Sequence, residues 1–350
     1  MKTVRMSLFF ALLSFLVLCQ PLFCTVKSDA SHTPWRALHL INYNTDDDLK
    51  ILVDVLPQLS RAGINVLILE INYHFQFKSF PELRQGEAQI SKKGARWFAK
   101  KCRKNNIRLI PQFQCFGHQS WAKKTFPLLT VYPELDLTPG AYPENEGIYC
   151  REWDPYNPRV NEIVFALMDE IIDAFRADAM HVGMDEVFLI SDENATSTKD
   201  KDPAKVFAKV VNDMHSHIVG VHELEMLMWG DRFIDADEID YGEWEASKNG
   251  TAPAIDLVPK DIIICDWHYE LRPAYESVPM FLEKGFRVLP AGWRNVEASQ
   301  ALITYSHSLK SENMLGHLFT TWRRMNSEDV LTFAPMVEGM ELIRRLAKEL

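Results

Sequence analysis

Short apolar runs rich in β-branched residues alternate with longer segments of helical periodicity from about Pro34 onward. This order is typical of βαβ units and of a parallel sheet. Eight such runs are present, at residues 36–41, 64–70, 107–113, 179–184, 225–229, 262–266, 287–291 and 316–320. Eight units without a repeat or a linker between them favour a closed barrel over an open doubly wound sheet. The predicted fold class is α/β, as a single (β/α)8 TIM barrel with its active site at the C-terminal ends of the strands.

The segments between the strands have apolar residues at three- and four-residue spacing, which predicts amphipathic helices. These helices are predicted at residues 46–61, 91–105, 158–176, 204–219 and 330–346. Asn157-Pro158 and Asp202-Pro203 place a capping side chain before a proline, which is the pattern of a helix start. No glycine-rich phosphate fingerprint follows the first strand, so a nucleotide-binding protein has little support.

The charge balance narrows the class of partner. The chain has 38 Lys and Arg against 48 Asp and Glu, a net charge of -10, which disfavours nucleic acid or an anionic membrane surface. Simple solubility explains the same balance. The oligomeric state is not indicated by the sequence.

The first residues have the pattern of a secretory signal peptide. Lys2 and Arg5 precede an apolar run over residues 8–19, which is too short to span a bilayer comfortably. We therefore predict a signal peptide over residues 1–30, a catalytic domain over residues 31–350, and export to the periplasm or the medium, with no transmembrane segment.

The positions of the cysteines indicate whether the chain could carry a lipid anchor, a zinc site or a disulfide scaffold. Cys24 makes a lipid-anchored form possible, although the bulky Phe23 before it is unusual at such a cleavage site. The other cysteines are widely spaced and contain no C-x-x-C pair, which argues against a zinc ribbon or a dense disulfide scaffold. They are Cys102, Cys115, Cys150 and Cys265.

Polar and aromatic residues concentrate where the predicted strands end, which is where parallel barrels carry their chemistry. The run from His181 to Val187 places Asp185 and Glu186 directly after an apolar strand. Adjacent carboxylates can take different roles when their surroundings separate their pKa values. A solvated loop pair, or acids at a helix N-terminus, would explain the same residues.

Further motifs follow the other strands in order. They are the run from Ile110 to His118 after the third strand, Met228-Trp229-Gly230-Asp231 after the fifth, Trp35-Arg36 at the first and Thr321-Trp322 after the eighth. With the Asp185-Glu186 motif, the chain resembles family 20 glycoside hydrolases, the β-N-acetylhexosaminidases, and most closely their short hexosaminidase D-like branch.

The resemblance implies a retaining, exo-acting enzyme that removes terminal N-acetylhexosamine residues from a carbohydrate substrate, with no cofactor and no metal ion. Glu186 would be the general acid and then the general base, and Asp185 would bind the acetamido N–H. The acetamido carbonyl would attack the anomeric carbon, so that no protein nucleophile is needed.

The resemblance also implies sugar contacts. Trp229, Trp267 and Trp322 would wall the acetamide pocket, since aromatic rings stack on sugars with little entropy to lose. Tyr269 is favoured over Trp293 for the acetamido carbonyl. Four more residues are predicted to bind the substrate: Arg36, Glu70, His118 and Asp231. Arg36 resembles an arginine that binds sugar hydroxyls, although it could instead pair with an acid. His118 would orient a carboxylate.

Three positions depart from the family pattern. Larger members have acids where this chain has Gln112 and Gln114, and a Glu where it has Arg324. Two alternatives therefore stay open: a barrel that has lost catalysis and binds amino sugars, and a conventional glycosidase that pairs Glu186 with Glu70 or Asp266.

Overall fold

Eight parallel strands form a closed barrel in the computed structural model of the chain, which describes residues 33–348. Strands β1 to β8 are Trp35–Leu40, Val66–Glu70, Arg108–Cys115, Ala179–Gly183, Glu225–Trp229, Ile263–Trp267, Arg287–Gly292 and Gly316–Thr320. Each strand pairs with its neighbours in the chain, and β1 closes the barrel by pairing with β8. The predicted barrel is confirmed, and the ends of every strand lie within about two residues of their predicted positions. Differences of this size are expected, because the boundaries of an element are the least certain part of such a prediction.

Helices cover the outside of the barrel. Within the described residues, the helices of seven residues or more, α1 to α7, are Asp46–Ala62, Lys92–Lys104, Pro158–Phe175, Pro203–His215, Ser277–Glu283, Val296–Ser308 and Ala334–Leu346. The connection from β5 to β6 has only short helical turns, at Asp231–Phe233, Gly242–Glu245 and Ala252–Leu257. This connection runs from the carboxyl end of β5 and carries Asp231 and Trp244, which are described with the site below.

The helix starts follow from local capping. Thr45 and Asp48 form a capping box at the start of α1, which satisfies backbone N–H groups that have no partner within the helix. The predicted starts at Asn157 and Asp202 are confirmed, since their side chains accept hydrogen bonds from backbone N–H groups of α3 and α4.

Two predicted helices differ from the structure. The helix predicted over residues 204–219 is α-helical only as far as His215, and a π-helical turn follows at Ser216–Val221. The helix predicted over residues 330–346 is broken into a short helix at Ser327–Leu331 and α7. Pro335 has no N–H for a continuous helix but fits the first turn of a new one, so α7 begins at Ala334.

Side chains alternate between the two faces of each strand, as the pleat requires. One set packs under the helices, and the other fills the barrel interior. The interior set includes Ala37, Ile68, Ile110, Leu227, Cys265, Leu289 and Leu318. This alternation decides which residues near a strand end can reach the central cavity.

The longest connection, residues 116–157, leads from β3 to α3 and carries a small hairpin of Ser120–Trp121 with Lys124–Thr125. Buried Arg151 holds this loop together, since it pairs with Asp136 and donates to the carbonyl of Tyr142. The loop begins at the C-terminal end of the barrel and so lies beside the acids that follow β4.

The predicted signal peptide and Cys24 lie outside the described residues. Among residues 33–348, no helix is long and apolar enough to cross a membrane. The four cysteines in this part of the chain are buried thiols without a disulfide: Cys102, Cys115, Cys150 and Cys265.

Candidate active site

A tight turn after β4 presents the two acids. Gly183, Met184 and Glu186 have φ angles of 67°, 71° and 51°, a left-handed conformation that only glycine adopts without strain. A Cβ atom on Gly183 would lie 2.0 Å from Gln114 Oε1, so a larger residue would collide there. The positive φ and this contact with Gln114, whose amide is hydrogen-bonded to Asp185, together favour glycine at this position.

His118 joins the two carboxylates. Its Nε2 lies 2.9 Å from Glu186 Oε2 and 3.4 Å from Asp185 Oδ2. Gly117 lets the loop approach, since a Cβ there would lie 2.8 Å from the Asp185 carbonyl oxygen. Together, the three side chains form the polar centre of the site.

The contacts of His118 with the acids set its charge. Burial lowers the pKa of His118, but the charge of Asp185 and hydrogen bonds to both acids outweigh burial and hold the pKa well above its usual value. Burial raises the pKa of Asp185, but His118 and a hydrogen bond from Gln114 leave it below its ordinary value. At neutral pH, therefore, His118 is a cation and Asp185 is ionised.

Asp231 supports the turn from behind. Its Oδ2 accepts hydrogen bonds from the Glu186 N–H, at 2.9 Å, and from Arg232 Nε, at 2.7 Å. Burial raises the pKa of Asp231 to about 6, although Arg232 opposes this rise. Asp231 is only 1% exposed, and its observed hydrogen bonds hold the turn that carries Glu186. The predicted contact of Asp231 with a sugar stays a prediction.

A chain of amide contacts crosses the base of the cavity. His39 Nε2 lies 2.9 Å from Gln112 Oε1, and Gln112 Nε2 lies 3.4 Å from Gln114 Oε1. Gln114 Nε2 donates to Asp185 Oδ1 at 2.6 Å. Glu70 lies beside this chain, where burial and the charge of Asp185 raise its pKa to about 7. The two glutamines link the strands without adding charge.

Arg324, the third departure from the family pattern, lies away from the acids. Its guanidinium pairs with Asp48 in the first turn of α1 and lies 5.8 Å from the centre of the Tyr43 ring. It connects the loop after β8 to α1.

Aromatic side chains from four strand ends gather on another side of the cavity. Trp322 Nε1 donates to the Tyr269 hydroxyl at 2.6 Å. The Tyr269 ring stacks on Trp267 at 4.9 Å between centroids and meets the edge of Trp293 at 5.3 Å. Trp229 lies 5.5 Å from Trp322. We call these five residues the aromatic cage, and the structure brings all of them together as the sequence suggested.

The cage lies close to the acids. Burial holds the pKa of Tyr269 well above its usual value, and the charges of Glu186 and Asp185 raise it further. The phenol is therefore protonated. Since its oxygen accepts the Trp322 N–H, its own proton is available to another acceptor.

Arg36 is not brought to the site. It is the second residue of β1, at the amino-terminal end of the barrel, where it donates to the carbonyl oxygens of Gly63 and Pro34. It is also on the face opposite to Ala37 and His39, which face the interior. The expected sugar contact is therefore wrong, because a strand residue at the amino end cannot reach a cavity at the carboxyl end.

Asp266 also lies outside the cavity. Its Oδ2 accepts from Ser277 Oγ at 2.7 Å, and its Oδ1 lies 3.1 Å from His268 Nε2. Trp267, the next residue, faces the cavity instead. The suggested pairing of Asp266 with Glu186 across a sugar is therefore excluded by the alternation of the strand.

The long loops add residues that the sequence analysis missed. Tyr149 lies with its ring centre 5.7 Å from His118, 5.4 Å from Trp121 and 4.8 Å from Trp244. Trp121 and Trp244 are 54% and 44% exposed. We call Trp121, Tyr149 and Trp244 the aromatic rim. The sequence around these residues has no strand or helix periodicity. The one feature that could have indicated them is the presence of aromatic residues within polar segments.

Glu152 was also missed by the sequence analysis. It is fully buried, and its Oε1 accepts hydrogen bonds from the N–H groups of Phe188 and Leu189 at 2.7 and 3.2 Å. Burial raises the pKa of Glu152 to about 8. It fixes the segment that follows Glu186.

Comparison with solved structures shows the same fold. A chitobiase of Flavobacterium johnsoniae aligns with a TM-score of 0.60 and 18% identity, over 90% of this chain and 50% of its own. A β-N-acetylhexosaminidase of Bacteroides fragilis gives 0.60 and 13%, over 88% and 65%. An exo β-N-acetylglucosaminidase of Vibrio harveyi in complex with N-acetylglucosamine gives 0.61 and 13%, over 89% and 54%. The chain thus spans between half and two thirds of the length of these proteins.

Sequence comparison identifies the family. A search of curated protein sequences found no significant match. The family model described as "Glycosyl hydrolase family 20, catalytic domain" matches residues 38–328, a range that includes seven complete barrel strands, the second half of β1 and both acids. The chain therefore belongs to glycosyl hydrolase family 20.

Proposed function

We propose that the chain is a retaining, exo-acting β-N-acetylhexosaminidase that removes terminal N-acetylhexosamine residues by substrate-assisted catalysis. The observation that carries this proposal is the His118 contact with both Asp185 and Glu186, close to the aromatic cage. Such a cavity offers a charged end for bond cleavage and an apolar end for an acetamido methyl group.

The aromatic cage suits an acetamido group. Its rings exclude water and hold the methyl group in place, which favours an attack geometry. Tyr269 has a proton free to donate to the acetamido carbonyl, and ionised Asp185 can accept a hydrogen bond from the acetamido N–H. These two contacts would hold the amide at both ends.

His118 and Glu186 can share one proton. In the free protein, the cationic imidazole lies against Glu186 Oε2. Transfer of the proton from Nε2 to Oε2 gives a neutral imidazole and a carboxylic acid, which is the form that a general acid needs. His118 would therefore supply the proton that Glu186 delivers.

The reaction then balances without a protein nucleophile. Glu186 protonates the glycosidic oxygen while the acetamido carbonyl oxygen attacks the anomeric carbon, and the aglycone leaves as an alcohol. Water opens the resulting oxazoline-type intermediate and gives a proton to the Glu186 carboxylate. Two inversions at the anomeric carbon give net retention.

Neither alternative explains these contacts as well. Glu70, with its pKa raised to about 7, is a poor nucleophile below that pH because it is largely protonated, and Asp266 faces away from the cavity. A barrel that only binds sugars would have no use for Glu186, since a general acid contributes to the transition state more than to ground-state binding.

The decisive experiment varies the proposed nucleophile in the substrate. Turnover of aryl N-acyl-β-glucosaminides should fall progressively from acetyl to monofluoroacetyl to trifluoroacetyl, because fluorine withdraws electrons from the carbonyl oxygen. A flat series, with bond cleavage rate-limiting, would exclude acetamide participation. No turnover of any of these substrates at high enzyme concentration, together with measurable sugar binding, would favour the binding protein instead.

Asp185→Asn provides the matched protein change. The amide fills the same space but carries no charge, so it should stabilise less of the positive charge that develops on the acetamido nitrogen. Turnover of N-acetyl substrates should fall, and circular dichroism should verify that the fold is retained.

A further inference from the structure

We propose that Asp169, His217 and His222 form a binding site for a divalent transition-metal ion of the zinc type, on the outside of the barrel. The tract from His215 to His222 contains three of the 11 histidines of the chain. It leads from the end of α4 towards β5 and so lies near the amino-terminal end of the barrel, opposite the acids. We call the three residues the outer histidine site.

The π-helical turn brings the two histidines together. Residues four apart share a face of an α-helix, and a π-turn adds one residue to that spacing. His217 and His222, five apart, therefore share a face, with their ring centres 5.0 Å apart. Such turns are often found at functional positions.

Both imidazoles converge on one carboxylate oxygen. His217 Nε2 and His222 Nε2 each lie 2.7 Å from Asp169 Oδ1, across from them on α3. The three ligand atoms lie within 4.8 Å of one another. Ligand atoms bound to one tetrahedral zinc ion at ~2.0–2.1 Å lie about 3.3 Å apart, so a metal ion needs each imidazole nitrogen to move away from the Asp169 oxygen by a fraction of an ångström.

The ligands are held in place yet accessible. The Phe165 ring stacks on His217 at 4.1 Å between centroids and 2° between planes, which fixes that imidazole. The side chains of His217, His222 and Asp169 are 11%, 25% and 47% exposed. An ion can therefore enter from solvent and keep water in its remaining position.

The ligand types select the class of metal. Two imidazoles and one carboxylate suit zinc and similar borderline ions, whereas calcium and magnesium prefer oxygen ligands throughout. Because Asp169 belongs to α3 and the histidines to the segment after α4, a bound ion would link the two. The proposed consequence is a more stable folded chain.

Among the described residues, one other group of metal-ligand type has this geometry, namely His118, Asp185 and Glu186. Zinc bound there would block the acids and inhibit turnover. Zinc at the outer histidine site would leave the acids free, so the two sites have different readouts.

The test uses the full chain without a histidine tag, titrated with zinc alone by isothermal calorimetry, with the melting temperature measured in parallel. We expect one zinc ion at the outer site and a rise in melting temperature that grows with zinc concentration. His217→Ala and His222→Ala should each weaken this binding at least tenfold. His215→Ala is the matched control, since its Nε2 pairs with Asp261 at 2.8 Å instead.

Asp169→Asn is the second variant, in case the loss of a histidine impairs folding. It removes the anionic ligand and should also weaken zinc binding, while any inhibition of turnover by zinc persists. The proposal is overturned if the wild-type chain binds no zinc, or if all of its zinc binding survives Asp169→Asn and the double variant His217→Ala/His222→Ala. Magnesium alone should produce no comparable effect.

Discussion

The indole N–H of Trp322 donates a hydrogen bond to the hydroxyl of Tyr269, with 2.6 Å between nitrogen and oxygen. The two residues follow β8 and β6, so the bond spans the end of the strand between them. It orients the phenolic oxygen and leaves the phenolic proton for a substrate.

Tyr269→Phe removes that proton and keeps the ring. If the proton is donated to the acetamido carbonyl, kcat for N-acetyl substrates should fall roughly 100-fold, the usual effect of losing a donor to a developing charge. Trp322→Phe should cost less, because it removes only the orienting bond. Steady-state kinetics on both variants checks this, and an unchanged kcat/KM for Tyr269→Phe would remove Tyr269 from the reaction.

Glu186→Gln should slow turnover by about 100-fold or more on substrates with poor leaving groups, since proton transfer contributes roughly 10²–10⁴. Activated aryl glycosides need less protonation and should be affected less. The measurement is a series of aryl glycosides of graded leaving-group pKa. An equal loss across the series would show that Glu186 is not the general acid.

Glu152→Gln should change how stability depends on pH. The pKa of Glu152 is raised from an ordinary 4.5 to about 8 by burial, so between these values the folded state binds more protons than the unfolded state. Its contribution is fully present below about pH 4.5 and is lost as the pH rises towards 8. Glutamine does not ionise. The free energy of unfolding of the variant, relative to that of the wild type, should therefore increase from pH 5 to pH 9. Urea unfolding at both pH values tests this, and parallel profiles would contradict it.

Arg36→Ala should affect stability and leave sugar binding unchanged. The guanidinium donates to two backbone carbonyls at the amino-terminal end of the barrel, and losing such bonds costs about 1 kcal/mol or more. Urea unfolding measures that loss, and KM for an aryl N-acetylglucosaminide should stay within about twofold. A large rise in KM with intact stability would restore the sugar-binding interpretation.

Trp244→Ala should reveal whether the aromatic rim binds the leaving group. Loss of ring stacking should lower kcat/KM for a disaccharide of N-acetylhexosamine by up to roughly tenfold, with a much smaller effect on a methyl glycoside. Trp97→Ala is the control, because Trp97 is similarly exposed, at 37%, but lies on α2. Equal effects on both substrates would assign Trp244 to loop packing.

The strands and the aromatic cage were predictable because they depend on local pattern. A buried parallel strand is an apolar run, and Trp229, Trp267 and Trp322 stand where such runs end. Glu152 and Tyr149 were not predictable, since they come from a loop of irregular structure whose path depends on contacts such as that of Arg151 with Asp136.

The sugar contact predicted for Arg36 from its sequence motif does not agree with the position of Arg36 in the structure. Its resemblance to a family arginine suggested a sugar contact, but its place at the start of β1 already implied the opposite end of the barrel. Strand direction was therefore the better guide at this position. For Asp266, the two-residue alternation along β6 would have given the correct answer in the same way.

Closure of the barrel also governs when a working site can exist during folding. The hydroxyl of Thr321 donates to the carbonyl of His39 across 282 positions of sequence, and the Trp322 ring lies 5.0 Å from that of His39. Contacts of such high sequence separation form slowly and late. A chain still emerging from the ribosome therefore cannot complete the cavity until its last strand has been made. During refolding, the recovery of the proposed activity would report the joining of the two ends.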